Sequence, residues 1–191
     1  MDKKFEFNKE NYQLAKGIIA KYPAGKEKSA VMGLLDLAQR QNDGWITTKA
    51  MDYIASIINL APIRVYEVAT FYSMYNLKPV GKFLVQICTT TPCQLRGAEQ
   101  IMASCKKHLG VELNETTIDK LFTIKEVECL GACVNAPMVQ INDDYYEDLS
   151  QEKIIEILNI LKSGRKTDIG SQIGRNASEP ISFDKKEVNS A

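Results

Sequence analysis

The chain has 191 residues, of which 45% are hydrophobic and 25% are charged, a balance typical of an ordinary globular protein. Basic and acidic residues are equal in number, at 24 each, so the composition does not support binding to nucleic acid or to an anionic membrane surface. No apolar run is long enough to span a bilayer, and the first residues resemble neither a signal peptide nor a transit peptide. We therefore expect a cytoplasmic protein without a direct membrane span, whose five cysteines serve some purpose other than disulfides.

Residues 1–78 predict an N-terminal helical bundle. Apolar residues recur at helical spacing over 11–22 and 27–41, and two further helices are expected after them. Thr47 is a suitable N-cap for the third helix, and Pro62 suits the first position of the fourth. Each helix is too short to be stable alone, so we expect them to pack on one another or on a partner.

Residues 79–164 predict a thioredoxin-like α/β domain, which makes the whole chain α+β. Strands are expected at 82–88 and 121–128, and a hairpin at 138–141 and 144–147. Helices are expected at 95–108 and at 151–162, the second capped by Ser150 and stopped by Gly164. Residues 165–191 are polar and have little to bury, so they predict a flexible, extended C-terminal tail.

Four of the five cysteines form two close pairs. Cys88 and Cys93 have the spacing C-x4-C, and Cys129 and Cys133 have the spacing C-x3-C. Each pair begins at the end of a predicted strand, and its second cysteine lies in the loop that follows. If the two strands are neighbours, all four thiols meet at one end of the sheet, which is the geometry that a four-thiolate metal site requires.

The spacing indicates which group such a site holds. Structural zinc prefers C-x2-C pairs, often with histidine, but both spacers here are longer, and the only histidine is His108 near a helix end. A [2Fe–2S] cluster is wider than a single ion, because each of its two irons takes two cysteines. We favour the [2Fe–2S] cluster, while a zinc-stapled assembly module, a thioredoxin-like dithiol and four structural cysteines without metal stay open as alternatives.

The residues around the pairs suit a cluster whose charge changes on reduction. Arg96 is expected to offset negative charge, and Glu128 to oppose reduction. Cys105 lies within a predicted helix and is expected to be a core residue rather than a ligand. Four loop residues are expected to donate hydrogen bonds: Thr89, Thr90, Thr91 and Gln94.

Three segments carry a resemblance to a known family: TFYSMYNLKPVGK at 70–82, CTTTPCQLRGA at 88–98 and ECLGACVNAPMVQIND at 128–143. Together they resemble the small iron–sulfur subunit of NADH:quinone oxidoreductase, respiratory complex I, over residues 8–164. This subunit is known by the letter E in bacteria and as the 24-kilodalton flavoprotein subunit in mitochondria. The segment 170–180 is also similar to the C-terminal extension of that family.

The resemblance implies a helical bundle followed by a thioredoxin-like [2Fe–2S] domain, with Cys88, Cys93, Cys129 and Cys133 as ligands. It implies two partners, the large flavoprotein subunit that binds FMN and NADH and the neighbouring iron–sulfur subunit of the complex. The whole enzyme would oxidise NADH, reduce quinone and move protons, as a translocase, but this chain would hold no complete active site. We expect it at the periphery of a bacterial inner membrane, on the cytoplasmic side.

Similar subunits occur in NAD-linked hydrogenases and formate dehydrogenases, and the cysteine motif alone does not separate them from complex I. The tail favours the respiratory complex, since the shorter relatives usually lack it.

Overall fold

The computed structural model describes residues 4–180, and the chain divides into two compact units, Met1–Val80 and Gly81–Ala191. The first unit is helical and the second is built on a mixed sheet. No helix within the described range is both long enough and apolar enough to cross a membrane.

Over its described residues, 4–80, the first unit contains four α-helices, and a short 3-10 turn, Glu27–Ala30, leads into the second of them. The helices are α1 Lys9–Ile19, α2 Val31–Gln41, α3 Thr48–Ile57 and α4 Pro62–Phe71. Thr47 caps α3 as predicted, since its hydroxyl accepts a hydrogen bond from the Ala50 N–H at 3.0 Å. Pro62 opens α4, also as predicted, where its missing N–H is not needed.

Each of these helices buries one face in a shared core. The fully buried side chains include Leu34 and Leu35 of α2, Ile54 of α3 and Val65 of α4. Helices of 10 or 11 residues are marginal alone in water. Their stability therefore comes from this packing, as the sequence predicts.

The second unit contains a five-stranded sheet in the order β2-β1-β3-β4-β5. The first two strands are parallel neighbours, β3 is antiparallel to β1 and to β4, and β5 is parallel to β4. The strands are β1 Phe83–Cys88, β2 Phe122–Val127, β3 Val139–Ile141, β4 Asp144–Glu147 and β5 Gly170–Ser171. The first four lie where the sequence predicts them, and β5 was not predicted.

Three helices accompany this sheet: α5 Thr91–Leu95, α6 Ala98–Leu109 and α7 Gln151–Lys162. The helix predicted at 95–108 is wrong at its start. Gly97 has a φ of 100°, in the left-handed region, so the chain turns sharply between α5 and α6. The last helix has the predicted bounds, and the Ser150 hydroxyl accepts a hydrogen bond from the Lys153 N–H at 3.1 Å.

Residues 165–180 contain little regular structure, and they are held against the rest of the second unit. Gly170 and Ser171 pair with the end of β4, and Arg175 forms a buried ion pair with Asp148. For residues 165–180 this anchoring corrects the expectation of a flexible tail, and its physical cause is the strand pairing together with the hydrogen bonds of Arg175. The remainder of the predicted tail, residues 181–191, lies outside the described residues.

The predicted hairpin turns at Asn142, whose backbone φ is 55° and whose side chain joins the turn to β1. Its Oδ1 accepts a hydrogen bond from the Leu84 N–H at 2.9 Å, and its Nδ2 donates to the Lys82 carbonyl at 3.0 Å. Asparagine tolerates the left-handed region better than most residues do. This one side chain therefore fixes both the turn and the register of β3 beside β1.

We expect Asn142→Ala to lower the free energy of unfolding by about 2–3 kcal/mol, because it removes two hydrogen bonds and leaves a Cβ in a left-handed backbone. The matched variant Asn142→Gly removes the same bonds but relieves the backbone, so a loss of about 1–2 kcal/mol is expected. Urea unfolding of the metal-free chain, followed by far-UV circular dichroism, measures both. Equal losses for the two variants would show that the backbone conformation contributes nothing.

Candidate metal centre

The parallel pairing of β1 and β2 brings the two cysteine pairs to the same edge of the sheet. Cys88 is the last residue of β1, and its partner in the register is Val127, the last residue of β2. Because the strands run in the same direction, both chains leave the sheet at one edge. Cys129 follows Val127 by two residues, so the two pairs begin side by side, as the sequence analysis required.

The second cysteine of each pair lies on a short helical turn. Cys93 lies in α5, and Cys133 begins the 3-10 turn Cys133–Asn135. The pairs differ in burial: Cys88 and Cys93 are 2% and 1% exposed, whereas Cys129 and Cys133 are exposed. The site therefore has an inner pair and an outer pair.

A small apolar cluster surrounds the inner pair. Its buried members besides the two cysteines are Ala98, Ala136 and Met138. Leu130 and Tyr145 pack against this cluster, and the Tyr145 hydroxyl donates a hydrogen bond to the Leu130 carbonyl at 2.8 Å. This bond attaches the loop that carries the outer pair to the sheet.

The thiols of each pair interact, and Thr90 influences both pairs. The sulfurs of Cys129 and Cys133 are 3.3 Å apart. Cys88 and Cys93 each shift the pKa of the other. The Thr90 hydroxyl lies 3.3 Å from the Cys88 sulfur and helps to lower the pKa of Cys129. Among residues 4–180, no group of three or more His, Cys, Asp or Glu side chains is arranged to hold a single metal ion.

Each pair contains one thiol that loses its proton more readily than the other. Burial opposes ionisation of Cys88, but hydrogen bonds from Thr90 and others more than offset it and lower its pKa. Burial and the hydrogen bond to Cys88 raise the pKa of Cys93 to about 12. A backbone hydrogen bond from Gly131 lowers the pKa of Cys129, whereas the hydrogen bond to Cys129 raises the pKa of Cys133. Metal binding at this site must therefore release protons.

Hydrogen bonds from backbone N–H groups lower the pKa of two of the thiols. Cys88 receives such bonds from Thr90 and Leu130, and Cys129 receives one from Gly131. Gly131 has a φ of 90°, a conformation that L side chains rarely adopt. This backbone conformation favours glycine at the position whose N–H lowers the pKa of Cys129.

These residues fit a [2Fe–2S] cluster. The donors are four thiols in two pairs, matching two irons that each take two cysteines. The N–H groups and the Thr90 hydroxyl supply the hydrogen bonds that sulfur ligands of such clusters commonly receive.

Three other residues discussed in the sequence analysis, Arg96, Glu128 and His108, are exposed. Arg96 is exposed, and its Nε lies 3.5 Å from the Ala136 carbonyl beside the inner pair. Glu128 is exposed and lies near Thr89. His108 is exposed and is hydrogen-bonded to Asn159 at 2.9 Å.

Cys105 lies apart from the site. It is fully buried in the core of the second unit, and burial raises the pKa of its thiol to about 12. It is therefore a core residue, as predicted.

Sequence reasoning missed three residues that hold the ligand loops in place: Tyr145, Asn135 and Arg175. Asn135 lies two residues after Cys133, inside the second cysteine motif, and this position could have marked it as a residue that supports the site. Arg175 lies in a polar segment far along the chain, and nothing in the local sequence connects it to the site.

Comparison with known proteins agrees with this geometry. Residues 15–162 match the family model described as thioredoxin-like [2Fe-2S] ferredoxin. The E subunit of NADH-quinone oxidoreductase from Rickettsia conorii is 58% identical over 83% of this chain and 95% of its own length. A Dictyostelium discoideum protein called NADH dehydrogenase [ubiquinone] flavoprotein 2, mitochondrial, is 53% identical over 92% of this chain and 71% of its own length.

Among solved structures, an NAD+-reducing [NiFe]-hydrogenase is similar with a TM-score of 0.60 and 17% sequence identity. The match covers 69% of this chain but only 23% of the hydrogenase chain, and at this identity it shows a shared fold alone. The family model and the high identity to the Rickettsia protein lead to one conclusion. The chain belongs to the thioredoxin-like [2Fe-2S] ferredoxin family and, within it, to the group of NADH-quinone oxidoreductase E subunits.

Proposed function

We propose that this chain is an electron-transfer subunit of an NADH:quinone oxidoreductase, with one [2Fe–2S] cluster held by Cys88, Cys93, Cys129 and Cys133. The observation that carries the proposal is the meeting of two thiol pairs at the ends of two parallel, neighbouring strands. The parent enzyme is inferred from the Rickettsia relatives, which are E subunits of NADH-quinone oxidoreductase.

A bound [2Fe–2S] cluster supplies reversible one-electron storage. The chain's own residues hold and tune it. The four cysteines bind as thiolates, and the apolar cluster around Cys88 and Cys93 keeps water from the inner pair. The N–H groups of Leu130 and Gly131 donate to the sulfurs and stabilise negative charge there.

The exposed outer pair is the proposed route for electrons. Cys129 and Cys133 lie at the surface, and two exposed apolar side chains stand beside the cysteine loops: Leu95 is 81% exposed and Val134 is 69% exposed. Exposed apolar side chains next to a redox site are suited to contact with another subunit. We infer that the partner on this side is the large flavoprotein subunit, which would bind FMN and NADH, with the neighbouring iron–sulfur subunit close by.

We further propose that the complex lies at the cytoplasmic face of a bacterial inner membrane, with this chain at its periphery. The Rickettsia relatives support a bacterial assignment. The corresponding subunit of an NAD-linked hydrogenase or formate dehydrogenase is the second candidate; the hydrogenase match is consistent with it but does not favour it, because at 17% identity it shows the fold alone.

The cluster itself is tested by anaerobic reconstitution of the purified chain. We expect two irons and two sulfides per chain and a spin-half electron paramagnetic resonance (EPR) signal after dithionite reduction. Replacing any one of the four proposed ligands with alanine should remove most of the signal. Cys105→Ala is the matched control and should keep the full cluster, because Cys105 is buried away from the site.

One zinc per chain without sulfide, and no paramagnetic signal, would contradict the electron-transfer function and support the zinc-stapled assembly module. A reversible disulfide between two of the four cysteines, again without iron, would support the thiol redox alternative.

Thr90 should help to set the reduction potential. A thiolate ligand has no proton to give, so the Thr90 hydroxyl must donate its one proton to the Cys88 sulfur, 3.3 Å away. Such bonds stabilise the more negative, reduced state. We expect Thr90→Val to lower the potential by about 20–60 mV and Thr90→Ser to change it much less. A redox titration followed by EPR measures the potentials. Equal potentials for the two variants would show that the Thr90 hydroxyl does not help to set the potential.

The dependence on a partner can be tested with NADH. We expect NADH alone to leave the reconstituted cluster oxidised, because the chain contains no recognisable nucleotide-binding motif. Adding the flavoprotein subunit should allow NADH to reduce it, as followed by absorbance and EPR. The control is the same mixture prepared with flavin-free partner. Reduction by NADH without any partner would contradict the proposed division of labour.

A further inference from the structure

The C-terminal tail carries a buried arginine that the proposed electron transfer leaves unexplained. The side chains of Arg175 and Asp148 are only 8% and 4% exposed. Arg175 donates to both oxygens of Asp148, from Nε at 3.0 Å and from Nη2 at 2.9 Å. Burying a charge is costly unless it is paired and hydrogen-bonded, and this two-bond geometry is the most specific that arginine offers.

The same guanidinium reaches the turn that begins at Cys133. Its Nη2 donates to the Val134 carbonyl at 2.9 Å and also to the Oδ1 of Asn135. Val134 and Asn135 are the two residues that follow Cys133, and all three form a single 3-10 turn. Arg175 therefore contacts the two residues that directly follow Cys133, which is a proposed ligand.

The turn is held from its other side as well. Asn135 is 4% exposed, its Nδ2 donates to Glu147 and to the Ala177 carbonyl, and its own carbonyl accepts a bond from the Asp148 N–H at 2.7 Å. Two tail residues and the end of β4 therefore enclose Asn135. Cys133 itself is exposed, and its sulfur lies 3.3 Å from that of Cys129.

We propose that Arg175 is a positioning residue for Cys133, and that residues 170–180 form a strap that holds this ligand's turn in place. The inference rests on the proposed role of Cys133 as a cluster ligand. Arg175 acts through geometry rather than through its charge, because Asp148 balances that charge at hydrogen-bond distance. The strap compensates for the exposure of the outer pair, which lacks the apolar packing of the inner pair.

The first test uses the full-length, metal-free chain and hydrogen–deuterium exchange read by mass spectrometry. The Asn135 N–H bonds to the Ala132 carbonyl at 3.0 Å, and the Ala136 N–H bonds to the Cys133 carbonyl at 3.4 Å. In Arg175→Ala we expect these two amides to exchange roughly tenfold faster, while the amides of β1 keep their rates. Unchanged exchange at both amides would overturn the proposal.

The matched control is Arg165→Ala, which removes an arginine from the same tail. The Arg165 Nε bonds only to the nearby Ser163 hydroxyl, at 2.9 Å, among the contacts that the structure gives for it. Exchange at Asn135 and Ala136 should match that of the unaltered chain. If Arg165→Ala speeds exchange as much as Arg175→Ala does, the effect belongs to the tail in general and the proposal fails.

The second test uses the reconstituted chain. We expect Arg175→Ala to shift the g-values of the reduced cluster and to speed cluster loss to a chelator about 10-fold or more, as is usual when a residue supporting a ligand is removed. Arg175→Lys keeps the charge without the two-bond geometry, so it should restore only part of both properties. Full restoration by lysine, or g-values and a loss rate like those of Arg165→Ala, would overturn the positioning role.

Two circumstances keep the outcomes distinct. If Arg175→Ala does not fold, as judged by circular dichroism, both tests are made with Arg175→Lys. The same changes in hydrogen exchange, g-values and rate of cluster loss are then expected, but smaller. If the unaltered chain takes up no cluster, the proposed function fails, while hydrogen exchange in the metal-free chain still decides whether Arg175 holds the turn.

Discussion

The parallel register between β1 and β2 is the constraint on which the rest of the second unit depends. It sets Cys88 opposite Val127, so the chain leaves both strands at one edge and the two cysteine motifs begin side by side. A slip of one residue would turn Cys88 to the opposite face of the sheet, because side chains alternate along a strand. On the other flank of β1, the side chain of Asn142 fixes the β3 hairpin to Leu84 of the strand and to Lys82 just before it.

The unequal burial of the two pairs follows from what comes after each strand. After β1 the chain turns directly into α5 and α6, and the inner pair becomes part of a small apolar cluster. After β2 it forms a loop and a single 3-10 turn, in which Asn135 is buried but both cysteines are exposed. The inner pair thus gains rigidity from packing, whereas the outer pair depends on individual hydrogen bonds such as those made by Tyr145 and Arg175.

Sequence reasoning succeeded where one local signal decides the structure. Hydrophobic periodicity located the helices and strands, Thr47 and Ser150 marked helix starts, and the cysteines at strand ends predicted that both pairs begin at one edge of the sheet. It was wrong at the start of α6, because the helical pattern continues through Gly97 while the backbone there is left-handed. It also missed β5, whose two residues are too few to form a pattern and pair only because the tail returns to β4.

The role of Arg175 shows why such features escape prediction from one sequence. A polar segment with little to bury normally stays extended and unattached, because it cannot offset the entropy lost on ordering. Here several contacts attach the segment: β5 pairs with β4, and Arg175 bonds to Asp148 and to two positions of the Cys133 turn, which satisfies a charge that burial would otherwise penalise. All of these partners of Arg175 lie 27 to 41 residues away along the chain, so only the folded sheet brings them together. The features of the proposed site that depend on such distant contacts could therefore be identified only from the structure.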